Sequence, residues 1–180
     1  MILDLPYTLT VDGIEREIFC DFRDVIQILT AYSDENLTNQ DKAIVLLSNL
    51  YKDDFTQFQD TEDALKQAIW FIDWGKEYED PKDKPRTMDW QQDYNMIVSA
   101  INQKIQTEIR EKDFLHWWTF LGYFSERGEC QFSTVISIRE KLSKGQKLEK
   151  WEKEILRENR DTIMLKVEGD DDFENELWGD

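Results

Sequence analysis

Residues 113–125 read DFLHWWTFLGYFS, and this aromatic stretch decides the expected fold. The side chains that share one face by their i, i+3, i+4, i+7 spacing are Trp117, Phe120, Leu121 and Phe124. A helix with so large an apolar face must bury it against other elements, because aromatic side chains dominate protein cores. The stretch therefore predicts a helix that lies inside a helical bundle.

Two adjacent tryptophans in this stretch complicate the prediction. Trp117 and Trp118 point about 100° apart on a helix, so one inward-facing stripe does not hold both. We expect one of them to line the rim of a groove, where tryptophan is a favoured interface anchor. The residues predicted to bind a partner protein are Trp117, Trp118, Trp151, Phe173 and Trp178.

Helical periodicity continues on both sides of the aromatic stretch. The further helices are predicted at about residues 22–32, 38–51, 62–74, 89–108, 133–142 and 146–159. Asp21, the pair Thr38 and Asp41, and Ser133 are expected to cap helix N-termini, and Gly75 to end a helix. The expected fold is mainly α, a bundle of about six to seven helices.

The chain ahead of these helices has a different pattern. Asp12-Gly13 favours the positive φ angles of a type I′ turn, and Tyr7, Leu9 and Val11 alternate before it. Residues 1–20 are therefore predicted to form an N-terminal β-hairpin. An isolated hairpin is marginally stable, so it should pack on the helical domain of residues 21–165.

Two stretches lack a periodic apolar pattern. Residues 75–88 contain Gly75, Pro81 and Pro85 among charged residues, which predicts a mobile linker. Residues 166–180 hold seven acids but also Phe173, Leu177 and Trp178. That mixture predicts a disordered acidic tail that docks on a partner.

Composition limits the partners. The 180 residues carry a net charge of −17 with a pI near 4.4, so phosphate backbones and anionic membranes are repelled. Two distant cysteines, Cys20 and Cys130, give no disulfide framework. No apolar run reaches the ~20 residues that span a bilayer, and no secretory signal opens the sequence. We expect a protein of the cytoplasm.

Catalytic patterns are absent from the sequence. The single histidine, His116, lies among aromatic residues, where a structural role is the commoner one. Asp170, Asp171 and Asp172 lack the spaced ligands of a calcium loop. No phosphate-binding glycine loop, nucleophile elbow or zinc motif is present. The sequence predicts no catalytic residue, no cofactor and no metal.

Three motifs in a fixed order carry a family resemblance. They are VDG at 11–13 followed by DFR at 21–23; MDWQQD at 88–93 leading to Ile97 and Ala100; and HWWTF at 116–120 followed by Phe132 and ISIR at 136–139. Their combination, over roughly residues 7–160, resembles the bacteriophage gene product fifteen family of phages and prophages of Gram-positive bacteria.

The resemblance implies a role in tail morphogenesis rather than a reaction. Genes of this family typically lie between those of the major tail protein and the tape measure protein, where long-tailed phages encode tail assembly chaperones. A chaperone that binds the tape measure protein or other phage tail proteins in the host cytoplasm is the implied function. The family brings no catalytic or binding residues to this chain, and the oligomeric state stays open.

Three other functions remain open at this point. An acidic DNA mimic that inhibits a host DNA-binding protein would fit the charge. An enzyme acting through carboxylates and Mg²⁺ would show a divalent-ion-dependent thermal shift. A structural tail component would remain in the virion.

Overall fold

The computed structural model describes residues 4–76 and 85–166. Within these residues the chain forms a two-stranded antiparallel sheet followed by eight α-helices, so the mainly α prediction is confirmed. The elements are β1 (Thr8–Val11), β2 (Ile14–Glu17), α1 (Phe22–Tyr32), α2 (Asn39–Leu50), α3 (Thr61–Ile72), α4 (Tyr94–Ile105), α5 (Trp117–Ser125), α6 (Gln131–Ser143), α7 (Lys150–Glu158) and α8 (Arg160–Ile163).

The hairpin turns where the sequence predicts. Asp12 and Gly13 both adopt positive φ, at 55° and 74°, and Val11 pairs with Ile14. The Asp12 carboxylate also accepts hydrogen bonds from the backbone N–H groups of Gln59 and Asp60, at 2.7 and 2.9 Å. These two hydrogen bonds fix the turn to the loop ahead of α3. Strand β1 also packs on α3.

The first two helices begin at the caps that the sequence predicts. The Asp21 carboxylate accepts from the Arg23 N–H at 3.0 Å, and Thr38 and Asp41 form a reciprocal capping box. Asp60 caps α3 in the same way through the Asp63 N–H. Each cap satisfies a donor that the helix itself leaves open, which is why short polar residues fix these boundaries.

The central helix α5 starts later than predicted, for a reason that lies far away in sequence. Trp117 N–H donates to the Cys20 carbonyl at 2.8 Å, and Phe22 N–H donates to the Leu115 carbonyl at 2.9 Å. The second oxygen of the Asp21 carboxylate accepts from Leu115 N–H at 2.9 Å. The chain ahead of α5 is therefore paired with the chain ahead of α1 and is extended instead of helical.

Apolar packing divides into two clusters of unequal size. The large one joins the hairpin to α1–α5, with Phe132 of α6 added. The small one has Val135, Ile138 and Ile163 at its centre, and joins α6 to α7 and α8. The bundle thus has one large aromatic core and a second, smaller hydrophobic cluster.

Further differences from the prediction concern helix starts and the number of helices. The helix expected from residue 89 begins at Tyr94, because a hydrogen-bonded turn comes first. In this turn the Asp89 carboxylate accepts the Gln92 backbone N–H, and the Asp93 carboxylate accepts the Asp89 backbone N–H. Ser133 is not an N-cap but the third helical residue, and its hydroxyl accepts the Cys130 N–H at 2.8 Å. The short α8 is additional to the seven predicted helices.

Some predictions fall outside the described residues. They are the linker prediction at 77–84 and the tail prediction at 167–180, together with the partner-binding residues Phe173 and Trp178. No helix within residues 4–76 and 85–166 has the length and apolar character needed to cross a membrane.

Candidate functional site

His116, the residue with the most obvious potential for chemistry, has both ring nitrogens in hydrogen bonds. Nδ1 accepts the Trp118 backbone N–H at 3.0 Å, so His116 is the N-cap of α5. The neutral ring therefore carries its proton on Nε2, which donates to the Pro6 carbonyl at 2.9 Å. This imidazole links the start of the hairpin to the central helix.

The surroundings of His116 keep it neutral. The ring is buried, and the rings of Tyr7, Phe71 and Phe114 lie edge-on to it. Burial lowers the pKa of His116 below its ordinary value, and the bond to Pro6 counters this in part. With both ring nitrogens engaged in these hydrogen bonds, the imidazole caps α5 and packs against the surrounding rings.

Trp117 and Trp118 are both in the core, and the prediction that one of them rims a groove is wrong. Their exposed fractions are 1% and 7%. Each indole N–H reaches the end of α3: Trp117 donates to the Ile72 carbonyl at 2.9 Å, and Trp118 to the Phe71 carbonyl at 2.8 Å. A helix enclosed on several sides buries more than one stripe, so neither residue serves as a surface anchor.

Exposed aromatic surface lies instead beside His116. Leu5, Tyr7 and Phe114 are 38%, 54% and 48% exposed. The Tyr7 and Phe114 rings lie on the same imidazole, with centroids 5.2 and 6.5 Å from it. We call these two rings, together with Leu5, which precedes the hydrogen-bonded Pro6 in the chain, the hairpin-end patch. It is an apolar surface held in place by a buried ring and a backbone hydrogen bond.

Trp151 is the one predicted anchor that the described part of the chain leaves exposed, at 52%. It lies in the first turn of α7, next to the buried Glu152. Glu152 accepts two hydrogen bonds from the Lys141 ammonium group, at 2.6 and 2.8 Å, which fix α7 to α6. Trp151 therefore projects from a helix that the Glu152–Lys141 ion pair holds against α6.

The densest buried polar cluster is a junction between α6, the turn ahead of α4, and α8. Arg139 forms a bidentate pair with the Asp93 carboxylate, at 2.6 and 2.9 Å, and both residues are buried. Its remaining donors reach the carbonyls of Thr87, Thr162 and Ile163. With all its donors satisfied, this arginine holds backbone together and is not available to a ligand.

An open groove of about 830 Å³ lies beside this junction, between the end of α1 and the segment after α8. Asp34, Glu35 and Asp161 give it carboxylates, and Ala31 and Leu37 supply apolar lining. Small-molecule sites are mostly apolar and enclosed, so this groove resembles hydrated surface. Within residues 4–76 and 85–166, no three His, Cys, Asp or Glu side chains are grouped to hold a metal ion.

Sequence reasoning missed the hairpin-end patch. Tyr7 alternates with Leu9 and Val11, which are buried, so the pattern placed it in the core. Phe114 falls inside a predicted helix that begins only at Trp117. Tyr7 lies just ahead of β1, which begins at Thr8, and no local pattern shows that its ring is left half exposed there.

Comparison with known proteins identifies a family. A family model described as "Bacteriophage Gp15 protein" matches residues 2–165, which includes the hairpin, the central helix and the Arg139 junction. No curated protein and no solved structure matches the chain.

Proposed function

This chain belongs to the bacteriophage Gp15 protein family, and from that premise we propose that it is a non-catalytic tail assembly chaperone. In this proposal it binds the tape measure protein, or another apolar helical tail protein, in the host cytoplasm before the tail is built. The hairpin-end patch is the binding surface. The gene position implied by the family resemblance supports the tail role.

The observation that carries the proposal is the exposure of Tyr7 and Phe114 on a rigid base. Two aromatic rings that remain about half exposed leave apolar area that a partner would bury. His116 orients both rings, so little conformational entropy is lost when a partner binds. Aromatic anchors on a preorganised surface are typical of residues that dominate binding energy.

The proposed partner suits this surface. A tape measure protein is expected to be long and helical with an apolar seam, and an amphipathic helix binds through side chains at i, i+3, i+4 and i+7. The chaperone's net charge of −17 would keep the complex soluble. Neither task needs a nucleophile, a metal or a cofactor.

Co-expression with the tape measure protein tests the proposal. The double variant Tyr7→Ser/Phe114→Ser removes the aromatic anchors, while the backbone bond from Ile18 N–H to the Tyr7 carbonyl is kept. We expect wild type to form a soluble complex and the double variant to bind at least about tenfold more weakly, since loss of one hot spot costs about 2 kcal/mol or more.

Ile44→Ser is the matched control. Ile44 is 45% exposed on α2, outside the patch, so its substitution removes exposed apolar area elsewhere and should leave binding unchanged. Circular dichroism melts would show that each variant is folded. The proposal fails if the wild-type chain gives no complex with tail proteins, or if the control weakens binding as much as the double variant does.

A further inference from the structure

The position of the His116 ring depends on its being neutral. Its Nδ1 accepts the Trp118 backbone N–H at 3.0 Å, and its Nε2 donates to the Pro6 carbonyl at 2.9 Å. Protonation adds a hydrogen at Nδ1, so that both ring nitrogens become donors. Two N–H groups would then face each other across 3.0 Å, and the protonated ring has to leave the place that the neutral ring occupies.

A displaced His116 ring has a short path to water. The ring is buried, but two of the rings that contact it, those of Tyr7 and Phe114, are 54% and 48% exposed. The rings of Phe71 and Trp118, which also lie near it, are buried in the core. Moving two half-exposed side chains is therefore enough to free the imidazole, while the aromatic core stays packed.

The charged groups beside His116 are already paired. Its bridge partner Asp21, ahead of α1, lies at ion-pair distance from Arg23 through one carboxylate oxygen. The other oxygen accepts a backbone N–H ahead of α5 at 2.9 Å. Helices α3 and α5 face the imidazole with the uncharged rings of Phe71 and Trp118. No neighbour named here is placed to hold a proton on Nδ1.

The remaining titratable groups around His116 are uncharged in acid solution. The hairpin brings the phenol of Tyr7, and the segment ahead of α1 brings the thiol of Cys20, whose pKa is raised by burial. Burial lowers the pKa of His116 and the Pro6 bond raises it, and no charged side chain of the described residues contributes to the shift. The imidazole therefore gains its proton more readily once it has moved into water.

We propose that His116 is an acid-sensitive switch: protonation at Nδ1 breaks the cap of α5, moves the ring outward and dismantles the hairpin-end patch. The assembled state holds His116 neutral and so binds one proton fewer than the opened state. The ratio of assembled to opened chains falls by up to about tenfold for each pH unit below 6.5. As a control of partner binding the inference rests on the proposed function, whereas the opening itself does not.

NMR of the free, full-length chain tests the switch, because His116 is the single histidine. Ring ¹⁵N shifts should show the Nε2–H tautomer at neutral pH. Between about pH 7.5 and about pH 5, the hydrogen-exchange protection factor of the Trp118 amide should fall by about tenfold or more. A protection factor that changes less than about twofold over this range would overturn the inference.

Core amides separate a local opening from unfolding of the whole bundle. Leu47 of α2 and Ile101 of α4 are buried, so their amides exchange only when the core opens. At about pH 5 the Trp118 amide should be protected at least about tenfold less than either of them. Equal protection of all three amides would mean that the His116 ring leaves only when the bundle unfolds, and would overturn the inference.

Matched variants assign the pH dependence to the imidazole. His116→Asn keeps an acceptor for the Trp118 N–H but has no group to protonate, so the protection factor of this amide should change less than about twofold with pH. Asp24→Asn/Asp73→Asn is the control, because burial raises the pKa of both carboxyls. It should keep the wild-type fall. A full fall in His116→Asn, or its loss in the control, would overturn the inference.

Binding measurements distinguish failure of the switch from failure of the proposed function. The wild-type chain should bind the tape measure protein more weakly at about pH 5 than at about pH 7.5, by the factor that its opened fraction sets, relative to His116→Asn. Wild-type binding that does not follow the opened fraction would contradict the switch as a control of binding. No complex at either pH would contradict the proposed function, and the exchange data would then decide the switch alone.

Discussion

The core around α5 and the junction around Arg139 are held by different forces. Around α5, stacked rings of Phe22, Trp117 and Phe120 fill the interior, with centroids 4.9 and 5.4 Å apart. At the junction, the apolar cluster is small and a buried ion pair between Arg139 and Asp93 ties three segments together. The core around α5 is stabilised by buried apolar area, and the junction is stabilised by the hydrogen-bond geometry of its buried ion pair.

This difference has consequences for stability. Apolar burial is roughly proportional to area and needs no exact orientation. A buried ion pair offsets the cost of removing its two charges from water only if every hydrogen-bond donor is satisfied. Its main effect is to hold the joined segments in one arrangement. The aromatic core should therefore set the global stability, and the junction should decide whether α8 and the chain after it stay attached.

Trp117→Ala should have the largest effect. It removes the largest fully buried side chain and leaves a cavity, so the free energy of unfolding should fall by about 3–5 kcal/mol. Urea denaturation followed by circular dichroism measures this. A loss below about 1 kcal/mol would mean that the aromatic core does not dominate stability.

Arg139→Met should open the junction while the aromatic core stays folded. It leaves the Asp93 carboxylate buried without its partner, at a cost of about 3 kcal/mol. Hydrogen exchange should show lost protection in residues 159–166 and retained protection in α1 and α5. Lys144→Met, at an exposed pair with Glu140, is the control and should change little. Uniform loss of protection would remove the distinction between the two regions.

His116→Asn should alter the pH dependence of stability more than stability itself, because asparagine also caps helices well. The folded pKa of His116 lies below the ordinary value of 6.5, so the unfolded chain takes up a proton first as pH falls. The contribution of His116 to stability is full above pH 6.5 and is lost as pH falls from there towards the folded pKa.

Denaturation of wild type and His116→Asn at several pH values around 6.5 would check this dependence. His116 is the single histidine, so the difference between the two proteins isolates it. A wild-type stability that falls no faster than that of the variant would contradict the burial described above.

Trp151→Ala should have the smallest effect on stability. The residue type is the same as at position 117, but the side chain is half exposed, so the change should stay within about 0.5 kcal/mol. The two tryptophan variants, measured in the same urea series, compare buried with exposed aromatic area directly. A loss similar to that of Trp117→Ala would show that Trp151 is part of a packed interior.

Local features were predictable from the sequence, and pairings between distant segments were not. The Asp12-Gly13 turn and the caps at Asp21 and Thr38 depend on neighbouring residues, so they appear where predicted. The start of α5 depends on bonds to Cys20, and the start of α4 on carboxylates in a turn that faces Arg139. Neither partner is visible in a local pattern.

The candidate site was harder to predict than the fold. Residue type alone favoured tryptophans as anchors, but Trp117 and Trp118 find hydrogen-bond acceptors at the end of α3 and are buried. Tyr7 and Phe114 are far apart in sequence and are brought together only by the ring of His116. Which aromatic side chains stay exposed depends on how the helices pack together. The periodicity of the sequence predicts only which face of a single helix is apolar.

Hydrogen exchange of the chain alone and bound to the tape measure protein tests the central claim most directly. The claim is that the hairpin-end patch is the binding surface and that His116 and the buried tryptophans only support it. We predict new protection in residues 5–8 and 113–115, with α7 unchanged. A complex that leaves these residues unprotected and protects a different face would contradict the account.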